Sequence, residues 1–116
     1  MADFEIEHES REDVRVLRLK GQLDAHTFPA LQEQLEGLDE ADPPRVVLDC
    51  SGLEYVSSAG LGVLKKMSRD FRQRDGDLRL ASLTEKIANV MSLLGFNQVI
   101  RVFGDLDEAV RSYKGK

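Results

Sequence analysis

Residues 46–66 read VVLDCSGLEYVSSAGLGVLKK, and the order of their parts decides the fold. The stretch begins inside RVVLD, residues 45–49, a short apolar run with the composition of a buried strand. It ends inside a helix, because Leu61, Leu64, Met67 or Ser68, and Phe71 recur at helical spacing until RDGD at 74–77 stops them. Between the two, Asp49, Ser51 and Gly52 have turn composition, and Ser57 and Ser58 stand directly before a glycine-flanked leucine.

The flanking segments extend this strand, loop and helix. Upstream, Phe4–Glu9 and Val14–Lys20 alternate, with Phe4, Ile6 and His8 set against Glu5, Glu7 and Glu9, and Val14, Val16 and Arg18 against Arg15, Leu17 and Leu19. That pattern predicts paired strands joined by the turn SRED, residues 10–13. After Gly21 the period changes, and Phe28, Leu31, Leu35 and Leu38 mark a helix with Thr27 as cap and Pro29 in its first turn. The loop DEADPP, residues 39–44, ends it. Downstream come a strand LRLAS at 78–82 and a helix capped by Thr84, with Ile87, Val90, Met91 and Leu94 as its apolar face and Gly95 as its left-handed stop. A last strand, QVIRVF at 98–103, leads into a helix where Asp105 and Glu108 have capping-box spacing and Arg111, Lys114 and Lys116 suit the carboxyl end. Strands and helices alternate after an opening hairpin, so the expected fold class is α/β with a mixed sheet, in one domain spanning residues 1–116.

Composition narrows the function. Charged residues make up 32% and hydrophobic ones 41%, the balance of a chain that can bury a core. A net charge of -5 opposes nucleic-acid binding and adhesion to anionic lipid, so protein or small-ligand partners are expected. MADFEIEHES has neither a basic segment nor an apolar core, no run reaches spanning length, and a cytoplasmic setting without membrane insertion is expected. Cys50 is read as a small residue at a strand end; a Cys-x5-Arg phosphatase loop would need arginine where Val56 stands.

Catalytic readings of SSAGLG fail on missing residues. A dinucleotide fingerprint needs glycine at Lys65, a P-loop needs a Gly-Lys-Ser/Thr ending, and a Gly-x-Ser-x-Gly elbow needs glycine at Val56. His8 and His26 belong to no recognisable triad, and a single cysteine with two histidines makes no metal cluster. Asp49 could be a receiver's acceptor aspartate, but EHES and IRVFG lack the acidic pair and the lysine that such a site requires, and it is read as a turn carboxylate bonded near Ser51 and Gly52. What remains is a helix amino terminus, where a serine caps free N–H groups and where the same donors and the helix dipole would also hold a phosphate. Gly60 and Gly62 each lower helix propensity by roughly 1 kcal/mol relative to alanine. That cost is accounted for if the backbone must lie close to another surface.

VVLDCSGLEYVSSAGLGVLKK resembles the signature of the anti-sigma factor antagonists, the bacterial STAS domains, in which a strand ending in Asp is followed by a short loop and an Asp-Ser-Ser/Thr-Gly-Leu-Gly helix start. LKGQLDAHTFPALQEQL resembles the family's Gly-x-Leu-Asp turn and first helix, and LRLASLTEKIANVMSLLGFNQVIRVFGDLDEAV its remaining strands and helices. The resemblance implies a mixed sheet with about four helices largely on one face, and a switching role with no cofactor and no catalysis of its own. It implies that the unphosphorylated protein binds an anti-sigma factor serine kinase and frees a sigma factor, and that a PP2C-type phosphatase reverses phosphorylation. Aligning Gly-Leu-Gly places the acceptor on Ser58, puts Ser57 where the family has aspartate, and puts Ala59 at the second hydroxyl. Ser57 is therefore an alternative cap or acceptor. Partner contacts are expected at Asp24, Ser57, Ser58, Ala59, Gly60 and Leu61, where a phosphate would join the charges of Asp24 and Glu54. In other settings STAS domains serve as non-phosphorylated adaptors of lipid-transport or stress-signalling assemblies, with this loop only a docking surface.

Overall fold

In the computed structural model, which describes residues 3–38 and 43–114, the opening hairpin pairs β1 (Phe4–Arg11) with β2 (Val14–Leu23). Pairing runs from Phe4 opposite Gly21 to Arg11 opposite Val14, so the turn is only Glu12 and Asp13, and Ser10 and Arg11 belong to the strand. Glu12 takes the left-handed backbone, φ 60°, that closing so tight a turn demands. The chain continues through α1 (Phe28–Leu38), β3 (Arg45–Val56), α2 (Ser58–Arg72), β4 (Asp77–Ala81), α3 (Glu85–Leu93), a 3-10 turn (Phe96–Gln98), β5 (Val102–Phe103) and α4 (Leu106–Arg111). The strands lie in the order β1-β2-β3-β4-β5, with β1 antiparallel to β2 and all later neighbours parallel. This is the expected mixed α/β sheet.

Three helices cover one face. Leu31, Leu35 and Leu38 from α1, Val63, Leu64, Met67 and Phe71 from α2, and Ile87 and Met91 from α3 pack on Leu17, Leu19, Leu48 and Leu78. Across the sheet, Ala109 and Val110 of α4 pack on Val14, Val16, Val47 and Ala81. Both faces of β2 and β3 are therefore buried where helices lie above and below them, which is why RVVLD has no polar alternation. A six-residue helix is too short to persist alone. α4 is held by that apolar contact and by Tyr113 just beyond it, whose hydroxyl lies 2.8 Å from the Val46 carbonyl and 2.7 Å from that of Asp77 and accepts from the Val46 N–H.

Five local expectations change. RVVLD is the start of a twelve-residue strand and not the whole of it, because β3 continues through Ser51 and Gly52 as far as Val56. Register is recovered by an irregularity, Arg18 facing Asp49 while Lys20 faces Gly52, which accommodates extra residues on the β3 side. QVIRVF forms only the two-residue β5, its first part being taken into the 3-10 turn. In α3 only Ile87 and Met91 are buried, whereas Val90 and Leu94 of the expected apolar face are exposed. Thr27 precedes α1 as expected and its carbonyl takes the Ala30 N–H, yet its hydroxyl turns back to accept from the Asp24 N–H and donate to the Gln22 carbonyl. At α4 the Asp105 carboxylate takes the Glu108 N–H at 2.7 Å, while Glu108 reaches back to the N–H of Gly104 in place of Asp105. Thr84 and Gly95 (φ 72°) perform the cap and stop expected of them. Residues 39–42 of the loop after α1, and Lys116, lie outside the described residues.

Candidate functional site

The last rung between β2 and β3 pairs Leu23 with Val56, and the Ser57 N–H then donates to the Leu23 carbonyl at 2.9 Å. The next residues on the two strands, Asp24 and Ser57, therefore leave the sheet side by side. Ser57 stops the strand and starts α2: its backbone is still extended (φ -89°, ψ 175°), its hydroxyl accepts the Gly60 N–H at 3.3 Å, and its carbonyl accepts the Leu61 N–H at 2.9 Å. Ser57 is thus the cap. Ser58 is the first helical residue and its side chain is exposed, with Ala59 half-buried behind it.

The two glycines have different explanations. A Cβ on Gly60 would stand 2.8 Å from Leu23 Cγ and 2.9 Å from the Leu23 carbonyl oxygen, so the close surface that excludes a side chain is the protein's own β2. A Cβ on Gly62 would meet nothing within 4 Å. Only Gly62 leaves open backbone on the outside of the helix.

Asp24 is tied into the turn that carries it. One carboxylate oxygen accepts the N–H groups of His26 at 2.9 Å and Thr27 at 3.1 Å, and its carbonyl accepts the Phe28 N–H. The His26 bond, followed by the bonds to Thr27, holds the Asp24 carboxyl below the usual aspartate range although burial opposes this, so the charge is present at neutral pH. Glu54 is not on this surface. It lines a cleft with Glu5, Glu7, Arg18 and Lys20 on the sheet face away from the three helices, so the expected pairing of Asp24 with Glu54 is corrected by strand alternation.

An apolar surface adjoins Ser58 instead. Leu61 lines a depression of about 140 Å³ with Tyr55, Val56, Ile87, Val90 and Met91, and Lys86 stands at its edge. Tyr55 is 49% exposed and Val90 46%, and at the end of α3 Leu93 is 87% and Leu94 63% exposed. Helical periodicity alone puts Val90 and Leu94 on the core side of α3, and the turn composition of Ser51 and Gly52 hides the strand that carries Tyr55 to this surface. Exposed apolar side chains clustered beside a charged helix end are the composition of a protein-docking surface.

The remaining chemistry-bearing residues lie elsewhere. Asp49 is buried, accepting the Ser51 N–H at 3.0 Å and an Arg18 N–H at 3.1 Å, a structural role at the strand irregularity. Burial pushes the Cys50 thiol up to about 12, which removes thiolate chemistry at neutral pH. His8 bonds Gln34 on the surface and His26 is exposed in its turn. Among the described residues no group of three or more histidine, cysteine or carboxylate side chains is arranged to hold a metal, and no helix is long and apolar enough to cross a membrane.

The STAS domain family model matches residues 5–109. The chain belongs to the STAS domain family. Among relatives, BtrV of Bordetella bronchiseptica, itself a candidate anti-sigma factor antagonist, is 30% identical over 96 residues, covering 83% of each protein. The crystal structure of an anti-sigma factor antagonist from Mycobacterium paratuberculosis superposes with a TM-score of 0.84 at 23% identity, over 94% of this chain and 92% of that one. The anti-sigma factor antagonist SpoIIAA matches in its unphosphorylated form (TM-score 0.77, 20% identity, 97% of each chain) and its phosphorylated form (0.70, 17%, 95% of this chain and 100% of that one). At these identities the structural likenesses show a shared fold. Within this STAS domain the cap of α2 is carried by Ser57.

Proposed function

We propose that this STAS domain is an anti-sigma factor antagonist whose unphosphorylated form binds an anti-sigma factor serine kinase and thereby frees a sigma factor, and that phosphorylation of Ser58 ends the binding. The observation that carries this reading is the division of labour at the start of α2. Ser57 supplies the cap alongside Asp24, so Ser58 is an exposed hydroxyl at the positive end of a fifteen-residue helix, three residues before the Leu61 that lines the depression. A phosphate at Ser58 is tolerated by the fold, since the first-turn N–H groups and the dipole favour an anion there. It is not tolerated by a partner lying on the surface. Up to about two added negative charges beside the ionised Asp24 must be desolvated against whatever covers Leu61 and Val90, so binding weakens while the domain stays folded. Asp24 and the run Ser57–Leu61 form the contact region in this reading, and a PP2C-type phosphatase restores the active form.

Intact mass after incubation with the cognate kinase and ATP tests the acceptor. One phosphate on the native chain and none on Ser58→Ala is the expected result. Phosphorylation that persists in Ser58→Ala and disappears only in Ser57→Ala moves the site, and a chain that takes no phosphate is an adaptor. Ser58→Asp should fold normally and lose kinase binding, whereas Ser58→Ala should retain it.

A further inference from the structure

At the pole of the sheet opposite Ser58, where β3 and β4 begin, a cavity of about 290 Å³ is lined by Arg45, Arg72, Arg79 and Tyr113, together with Asp75 and Asp77. Three separate elements deliver these arginines: the first residue of β3, the last of α2 and the middle of β4. The buried Asp77 carboxylate accepts Arg72 Nε at 3.1 Å and Arg79 Nε at 2.9 Å, so one negative charge is shared between two guanidinium groups. Arg79 is itself 8% exposed, lies 3.9 Å from the centre of the Tyr113 ring, and donates to the Ser112 hydroxyl at 2.7 Å. Arg72 also donates to the Val99 carbonyl, and Arg45 pairs at 3.0 Å with Asp13, whose side chain is 66% exposed.

A guanidinium carries five N–H donors on three nitrogens, and the bonds just named engage one nitrogen of Arg45 and two each of Arg72 and Arg79. Counted over the described residues, donors are left over on all three. In the lining, three positive charges face two negative ones, in a chain whose overall charge is -5. The frame is stiff: the Asp77 N–H donates to the Pro44 carbonyl, and a Cβ on Gly76 would stand 1.9 Å from that same oxygen. Converging, pre-positioned arginines with spare donors match a tetrahedral oxyanion in geometry and charge.

We propose that this arginine pocket is a binding site for a phosphate-type dianion, free or carried as a monoester on a larger ligand. The site is independent of Ser58 and of the switching role proposed above.

The test is a titration of the full chain with inorganic phosphate and, in a second arm, phenyl phosphate, followed through backbone amide and arginine Nε signals in NMR, with chloride at matched ionic strength as control. The expected result is a saturable shift at Gly76, Asp77 and the Nε signals of Arg72 and Arg79, with the amides of Ser58 and Ala59 unmoved. Tighter binding of phenyl phosphate assigns the site to a carried phosphate, and equal binding assigns it to the free ion. Arg45→Gln and Arg72→Gln should each weaken binding by about tenfold. Arg45 is the cleaner position, since its partner among the described residues is the exposed Asp13 carboxylate, and a thermal melt verifies that the variant folds. Ser58→Ala should bind as the native chain does. Shifts that chloride reproduces, shifts that grow without saturating, unaltered affinity in folded Arg45→Gln, or shifts centred on residues 57–60 would each overturn the proposal.

Discussion

Gly60→Ala and Gly62→Ala are the same substitution two residues apart on one helix, and the structure assigns them opposite signs. Alanine is favoured over glycine in a helix interior by about 0.8–1.0 kcal/mol, a gain available to both. At Gly62 nothing lies within 4 Å of the new methyl group, so the gain stands and stability should rise by about 0.5–1 kcal/mol. At Gly60 the methyl group would stand 2.8 Å from Leu23 Cγ, 2.9 Å from the Leu23 carbonyl oxygen and 3.1 Å from Leu23 Cδ2. Leu23 cannot swing away: it is fully buried, and its carbonyl holds the Ser57 N–H that sets the start of the helix. Overpacking costs about 1–3 kcal/mol in general; contacts under 3.0 Å with a neighbour that cannot move put Gly60 in the upper part of that range, about 2–3 kcal/mol, and the net loss is about 1–2 kcal/mol. Urea unfolding reads both. With a slope of about 1–3 kcal/mol per molar, Gly60→Ala should lower the midpoint by on the order of 1 M and Gly62→Ala should raise it by a fraction of that. A Gly60→Ala chain at or above native stability would refute the assignment of Gly60 to internal packing, and a Gly62→Ala chain below it would refute that of Gly62 to open surface. Gly62→Ala has a second use, because it adds a methyl group beside Ser58 without harming the fold. Slower phosphorylation in that stable variant is expected if the kinase lies against this turn.

Removing the cap should separate the two serines: Ser57→Ala is expected to cost about 1 kcal/mol through loss of the bond to the Gly60 N–H, whereas exposed Ser58→Ala should stay within about 0.5 kcal/mol, both read from urea midpoints. Tyr113→Phe removes the hydroxyl that bonds the Val46 N–H and the carbonyls of Val46 and Asp77 beneath α4, and should lower stability by about 1–3 kcal/mol in thermal melts without altering phosphorylation at the far pole. Cys50 should resist alkylation in the native chain. Its thiol is raised from 9.0 to about 12, so above pH 9 the unfolded chain loses a proton that the folded chain keeps, and the contribution of Cys50 makes stability fall between pH 9 and 12. Cys50→Ala should flatten that part of the stability profile, and an unchanged slope would show that the burial of Cys50 has no part in it.

Much of this architecture was legible because its signals are local. Caps at Thr84 and Asp105, the left-handed stop at Gly95, the hairpin and the order of elements follow from residue chemistry over a few positions. Non-local terms decided the rest. Ser51 and Gly52 look like a turn in sequence, but β2 runs alongside, Lys20 pairs with Gly52, and Gly52 is close enough that a Cβ would stand 3.0 Å from the Leu19 carbonyl. The apolar residues of α3 announce a helix without saying how much of its circumference the sheet will cover. Only Ile87 and Met91 face the sheet, and the remainder became surface.

By itself the sequence determined the fold class, the family resemblance and the presence of a serine pair at the start of a helix, because periodicity, capping and motif spacing need no knowledge of distant residues. Which serine caps and which is free could not be read there. Adjacent residues with the same hydroxyl differ only in where the strand ends, and the bond from the Ser57 N–H to the Leu23 carbonyl decides that. The tertiary structure also turned Glu54 to the opposite sheet face, explained Gly60 through Leu23, exposed the apolar surface around Leu61 and Val90, and gathered Arg45, Arg72 and Arg79 around one cavity. Each of these depends on strand register and helix placement, which bring together residues whose separation along the chain carries no sign of their meeting.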